Sequence, residues 1–220
     1  MDRLYGNFVR SGDLVFDVGA HVGDRVASFR RLGARVVAVE PQRAMVKALR
    51  LLYGRNGSVT IEPVAVGGQP GRARMLINSD NPTVSSVSSA FVEAAHGASG
   101  WETQRWGEIA EVEVTTLDAL IAKHGVPTFI KLDVEGFEAE ALSGLSQSVR
   151  ALSFEFTTIQ PDVALACIEK CVAMGYARFN AALGESQTMI SEWVDGKEIA
   201  RWLSALPQAT NSGDIYAIPA

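Results

Sequence analysis

Two stretches of this 220-residue chain hold residues whose types and spacing could do chemistry. The first runs from Leu14 to Pro41 and reads LVFDVGAHVGD, RVASFRRLGA and RVVAVEP, with Asp17, Gly19, His21, Gly23 and Glu40 among its members. Glycines bracketing a turn let backbone N–H groups come close to a ligand at the start of a helix, so the turn reads as a cradle for an anionic group. Glu40 follows Gly19 by about the ~20 residues at which nucleotide folds place an acid on a ribose diol. A dinucleotide site would show G-x-G-x-x-G and room for a pyrophosphate. This turn has two glycines and an acid, Asp17, that would repel phosphate. A carboxylate there suits a cationic ligand such as S-adenosylmethionine, whose own carboxylate can still use the backbone donors.

The second stretch is PTFIKLDVEGFEAEALSGL, where an apolar run ends in Asp133 and passes straight into Glu135. Downstream, ALSFEFT carries Glu155 inside another apolar run, and an acid so placed needs a partner or a task. One expectation is that Asp133 or Glu135 accepts a proton from a hydroxyl. Another is that these two with Glu155 hold a divalent cation, magnesium or manganese, that acidifies the hydroxyl. The structural alternative has Asp133 and Glu135 capping a helix and pairing with Lys131. Glu138 and Glu140 read as a solvated helix face, and His21 and His96 as reserve bases. Cys167 and Cys171, one helical turn apart, read as small core filler, since a zinc site wants four clustered ligands.

The elements that position these residues alternate. Leu14 to Val18 and Val36 to Val39 are too continuously apolar for strands with a wet face, so both are expected to be buried on two sides. Asp24 to Leu32 forms a covering helix, and Pro41 opens another with Met45, Leu49, Leu52 and Tyr53 as its stripe. VTIEPVAVG is a third strand and its exit. In a nucleotide fold, Ala65 and Val66 at that exit would lie beside an adenine, and plain core fits either equally well. ARMLIN, EVEVTT, ALSFEFT, the run from Tyr176 to Leu183 and DIYAIP complete the strands, with a short helix expected over residues 3–10. Strands alternating with helices give a doubly wound parallel sheet in one domain over residues 1–220. From Ser79 to Trp106 the periodicity fails, with only a short helix suggested from Phe91 to His96, which marks a lid or substrate-binding insertion at about 79–108, with Trp101 and Trp106 as apolar contacts.

A formal charge of -5 leaves no footprint for nonspecific nucleic-acid binding. No apolar run reaches membrane length and the first residues lack a signal-peptide centre, so the expectation is a cytoplasmic protein without a membrane partner. A homodimer is compatible with the sequence, which does not fix oligomeric state.

DVGAHVGD, VEP, VTTLDALIAKHG and above all FIKLDVEGFEAEALSGL resemble the FkbM family of S-adenosylmethionine-dependent methyltransferases. The resemblance implies a class I, Rossmann-like α/β fold: a doubly wound, mostly parallel seven-stranded sheet whose last strand, DIYAIP, is antiparallel and inserted beside its neighbours. It implies O-methylation of a sugar or other small-molecule hydroxyl. It implies that Asp17, Gly19 and Gly23 hold the amino-acid end of the cofactor, Glu40 its ribose, and that Ala65 lies near its base. His21 stands where many relatives have asparagine and is counted with the cofactor residues. The rivals are a catalytically idle cofactor-binding domain and a nicotinamide-dependent reductase.

Overall fold

The computed structural model describes residues 1–190 and 192–220. The chain opens with α1 (Asp2–Tyr5), β1 (Leu14–Val18), α2 (Asp24–Arg31), β2 (Arg35–Val39), α3 (Arg43–Tyr53) and β3 (Val59–Glu62). Next come β4 (Ala65–Val66), β5 (Gly71–Ile77), α4 (Ser89–Ala95), β6 (Glu108–Thr115) and α5 (Leu117–His124). It closes with β7 (Phe129–Leu132), α6 (Glu138–Ser143), β8 (Ala151–Thr157), α7 (Pro161–Ala173), β9 (Tyr176–Leu183), α8 (Gly196–Ser204) and β10 (Ser212–Pro219).

Seven strands form the main sheet in the order β3-β2-β1-β7-β8-β10-β9, parallel except for β10, which runs antiparallel to both neighbours. The sheet is Rossmann-like and doubly wound, with the antiparallel strand inserted beside its neighbours as the resemblance implied. Every residue of β1 and β7 is buried, as the unbroken apolar runs require. On one face Phe16, Ile130, Leu132 and Phe154 pack against α5, α6 and α7 through Leu117, Leu142 and Ile168. On the other, Val15, Phe129 and Tyr216 pack against α1 and α2 through Tyr5 and Phe29. Cys167 and Cys171 are buried free thiols on the core side of α7.

The structure departs from the sequence reading in several elements. VTIEPVAVG does not continue as one strand: β3 stops at Glu62, and β4 joins β6 and β5 in a separate three-stranded sheet. The break falls at Pro63, which has no N–H for a ladder. The first helix is a single turn, although Phe8 and Val9 beyond it are buried. In α3 the buried residues are Val46 and Leu49, while Leu51 and Leu52 face outward. Within the 79–106 stretch the short helix expected from Phe91 to His96 is present as α4, starting two residues earlier. A 3-10 turn at Pro82–Val84 and α4 gather a small core of Val84, Phe91, Ala95 and Trp101. Among the described residues no helix is long and apolar enough to cross a membrane.

Candidate active site

The chain leaves β1 toward β2 and β3, and later returns to β1's other side as β7, so the strand order reverses between β1 and β7. Open parallel sheets bind ligands at that reversal, beyond the carboxyl ends of the strands. A cavity of about 400 Å³ lies there, within the usual range for small-molecule sites. Gly19, His21, Glu40, Ala65, Asp133, Glu135 and Glu155 all line it.

The glycine turn works differently from its sequence reading. Gly19 has φ +85°, and a Cβ there would fall 1.7 Å from the Asp133 carbonyl oxygen. A Cβ on Gly23 would meet the Tyr53 ring at 2.6 Å and Leu49 at 2.9 Å. Both glycines are therefore demanded by close packing within the protein. The N–H groups of Gly19 and Ala20 donate to the Val39 carbonyl at 2.9 and 3.1 Å, and that of His21 donates to Glu40 Oε2 at 2.9 Å. These donors tie β1 to β2 and are not free for an anion. Asp17 and Gly23 stand behind the cavity wall. Asp17 is fully buried beside Lys131 in the ladder, and neither carboxylate oxygen has a hydrogen-bond partner. Burial lifts its carboxyl to about 6, against the pull of Arg25 and Lys131.

Glu40 faces the cavity, its oxygens accepting the N–H groups of His21 and of Gln42, the latter at 2.8 Å. Each oxygen keeps a lone pair for a further donor. Burial lifts this carboxyl to about 7, although the two N–H groups oppose the rise. His21 has φ +48°, and its buried Nε2 has no partner. Burial lowers the proton affinity of its ring.

At the other side of the cavity Asp133, Glu135 and Glu155 each offer an oxygen, all within 4.8 Å of one another. They look alike in sequence and differ in the fold. Burial alone would raise the Asp133 carboxyl, but Lys131 and Arg25 outweigh it and hold it at about 2. Lys131 Nζ is 3.1 Å from Asp133 Oδ2 and 2.7 Å from Asp214 Oδ1, and Arg25 is 3.5 Å from Asp133. Among the described residues neither Glu135 nor Glu155 makes a salt bridge, and the more distant Lys131 lowers both only partly. Burial, with repulsion from Asp133, pushes both well above the ordinary carboxylate range. Glu155 Oε2 is buried without a partner. The trio is a poor donor set for a dication, because a lysine and an arginine already neutralise the one carboxylate held ionised.

Residues 17–212 match the methyltransferase FkbM domain. The chain belongs to that family. It is 30% identical over 171 residues to 31-O-demethyl-FK506 methyltransferase FkbM from Streptomyces tacrolimicus, a match covering 67% of this chain and 66% of that protein. Among solved structures it is similar to the precorrin 8w decarboxylase of Methanobacterium thermoautotrophicum. That likeness has a TM-score of 0.50 and 11% identity, and covers 98% of this chain and 88% of that one. It reflects the fold alone.

S-adenosylmethionine is the cofactor this family and fold imply. The FkbM site fits it: the cavity has the volume, Glu40 has lone pairs for a diol, and Ala65 with Val64 and Val66 supplies an apolar wall for a base. The acids around the cavity suit a net positive ligand.

Sequence reasoning missed several participants. Arg25 lines the cavity and also reaches Glu185 at 3.3 Å. A cation in a helix's first turn works against the dipole, and that misplacement was a usable signal. Glu138, read as solvated, is buried, and its carboxylate accepts the Val134 N–H at 2.8 Å. It points back across the turn between β7 and α6, which apolar spacing does not reveal. Trp101 lines the cavity with its Nε1 donating to Asn211 Oδ1 at 3.1 Å, whereas Trp106 packs on Phe91 and donates to the Val84 carbonyl. His96 is an exposed C-cap of α4 outside the cavity wall.

Proposed function

We propose that this FkbM domain transfers a methyl group from S-adenosylmethionine to a hydroxyl oxygen of a small molecule or sugar. The observation that carries the reading is the split among the three acids: one is held ionised by two cations, and two have raised proton affinity at the cavity wall. In this reading Glu40 accepts from the ribose hydroxyls, and Gly19, His21 and Ala65 flank the cofactor. Asp17 and Gly23 support it from behind the wall. The residues from 79 to 108 supply the acceptor-side wall of one catalytic unit spanning 1–220.

Bound there, the cofactor supplies an electrophilic methyl group on a sulfonium. The protein's task is to align the acceptor oxygen with that carbon and to remove a proton. Glu135 or Glu155, in its ionised form, would take the proton of the acceptor hydroxyl. Asp133 is too weak a base for this step, since a group titrating near 2 gains little from a proton at neutral pH. Its role is to keep negative charge beside the two glutamates and so maintain their affinity for protons.

Two measurements test the proposal. Glu40→Ala should weaken S-adenosylhomocysteine binding by calorimetry roughly tenfold or more, the cost of a charge-assisted hydrogen bond. An unchanged dissociation constant would remove Glu40 from the cofactor site. Glu135→Gln and Glu155→Gln should leave that constant nearly unchanged, while methyl transfer from labelled cofactor to fractionated metabolites falls about 10²–10⁴-fold in at least one of them. Full turnover in both variants contradicts the base assignment.

A further inference from the structure

Glu135 occupies the left-handed region at φ +53°, unusual for a residue with a side chain, and Gly136 follows at φ +81°. Something must hold a glutamate there. Ser86 does so directly: its hydroxyl donates to the Glu135 carbonyl at 2.6 Å. Ser86 is itself fixed, exchanging backbone hydrogen bonds with Leu76 of β5 at 2.7 and 3.0 Å, while its Oγ accepts the Ser88 N–H at 2.8 Å. Phe91 closes the same turn from α4, since a Cβ on Gly136 would meet its side chain at 2.6 Å. The residues that grip Glu135 thus come from the segment whose sequence showed no periodicity.

That segment also reaches the cofactor side. Gln42 Nε2 donates to the Pro82 carbonyl at 3.1 Å, and the Gln42 N–H is already on Glu40. Thr83 to Val87 line the cavity between the two ends. One run of chain therefore bonds both Gln42, whose N–H is on the carboxylate assigned to the ribose, and the backbone of the residue assigned to the proton.

We propose that Ser86 is a positioning residue that holds Glu135 in its left-handed conformation, and that through Pro82 and Gln42 this hold tightens when the cofactor site fills. The inference rests on the cofactor reading above. A ligand filling the cavity packs against Thr83 to Val87, and Ser86 on the Glu135 carbonyl passes that restraint to the turn.

The test uses amide hydrogen exchange on the full chain with S-adenosylhomocysteine as the probe. In the parent, saturating probe should slow exchange over residues 82–88 and over residues 134–138 alike. Ser86→Ala should keep probe affinity within about threefold and lose the protection at 134–138 by roughly tenfold, the scale of one strained backbone residue. Asparagine tolerates the left-handed region, so in a Glu135→Asn background the same Ser86→Ala change should have almost no effect on exchange at 134–138. Protection at 134–138 that survives Ser86→Ala overturns the proposal. So does an equal loss in both backgrounds, which would mark Ser86 as a general structural residue. If Ser86→Ala does not fold alone, its folding in the Glu135→Asn background supports the proposal and its failure there overturns it. Probe that does not bind the parent refutes the cofactor reading instead, a distinct result.

Discussion

Asp17→Asn removes a charge from a fully buried carboxylate, neither of whose oxygens has a hydrogen-bond partner. Burial raises its proton affinity, Arg25 and Lys131 pull the other way, and the balance lies at about 6 against an ordinary 3.8. At 1.36 kcal/mol per pH unit, that gap makes the ionised fold about 3 kcal/mol less stable than one neutral at this position. The replacing amide keeps polar atoms that need partners, so the expected gain above about pH 7 is roughly 1–3 kcal/mol. The folded value lies above the unfolded one, so the native state binds the proton more tightly between pH 3.8 and about 6. The parent therefore loses stability as pH rises through that window, and the variant's advantage is complete above it and absent below it. Urea unfolding of both proteins at about pH 8 and about pH 4 measures this directly. A variant less stable than the parent at both values would mean that Asp17 is paired in solution, and the burial argument would be wrong.

Lys131→Met takes the buried ammonium from the partly buried Asp133 and Asp214, and should cost about 3–5 kcal/mol by urea unfolding. Adding Asp214→Asn should recover part of the loss; no recovery would show that the pair is not what Lys131 supports. Gly19→Ala sets a Cβ 1.7 Å from the Asp133 carbonyl at φ +85°, and should cost at least about 3 kcal/mol or prevent folding. A near-neutral result would mean that β1 and β7 separate readily at this rim. Glu138→Ala leaves the Val134 N–H without its acceptor and should cost about 1–3 kcal/mol, with faster amide exchange at Val134. Unchanged exchange there would contradict the capping role.

The sheet was legible because burial on both faces writes itself as unbroken apolar runs: LVFDV, VVAV and FIKL became β1, β2 and β7. The antiparallel insertion of DIYAIP came from family resemblance, since an apolar run carries no direction. Glu40, Asp133, Glu135 and Glu155 were legible as acids at strand ends, and the cavity gathers all four. The reason for the glycines was not. A turn that needs Gly19 to clear a carbonyl on β7 reads the same as one that needs it to admit a ligand, because the neighbour that decides lies more than a hundred residues away. Ser86 was hidden for the same reason, sitting in a serine-rich run whose local pattern says only that a turn is near.

Arg25 and Lys131 also explain why similar acids take dissimilar roles. Burial raises the proton affinity of every carboxyl in the trio. Cations contributed by α2 and β7 converge on Asp133 and select it as the ionised member. Once Asp133 is charged, its field raises the proton affinity of Glu135 and Glu155 further. Asp214 extends the pattern, since its bond to Lys131 fastens β10, the antiparallel strand, to the charge that organises the site. Without Asp214, Lys131 would be shared less evenly, and Asp133 would draw its charge closer and lift the proton affinity of the two glutamates less.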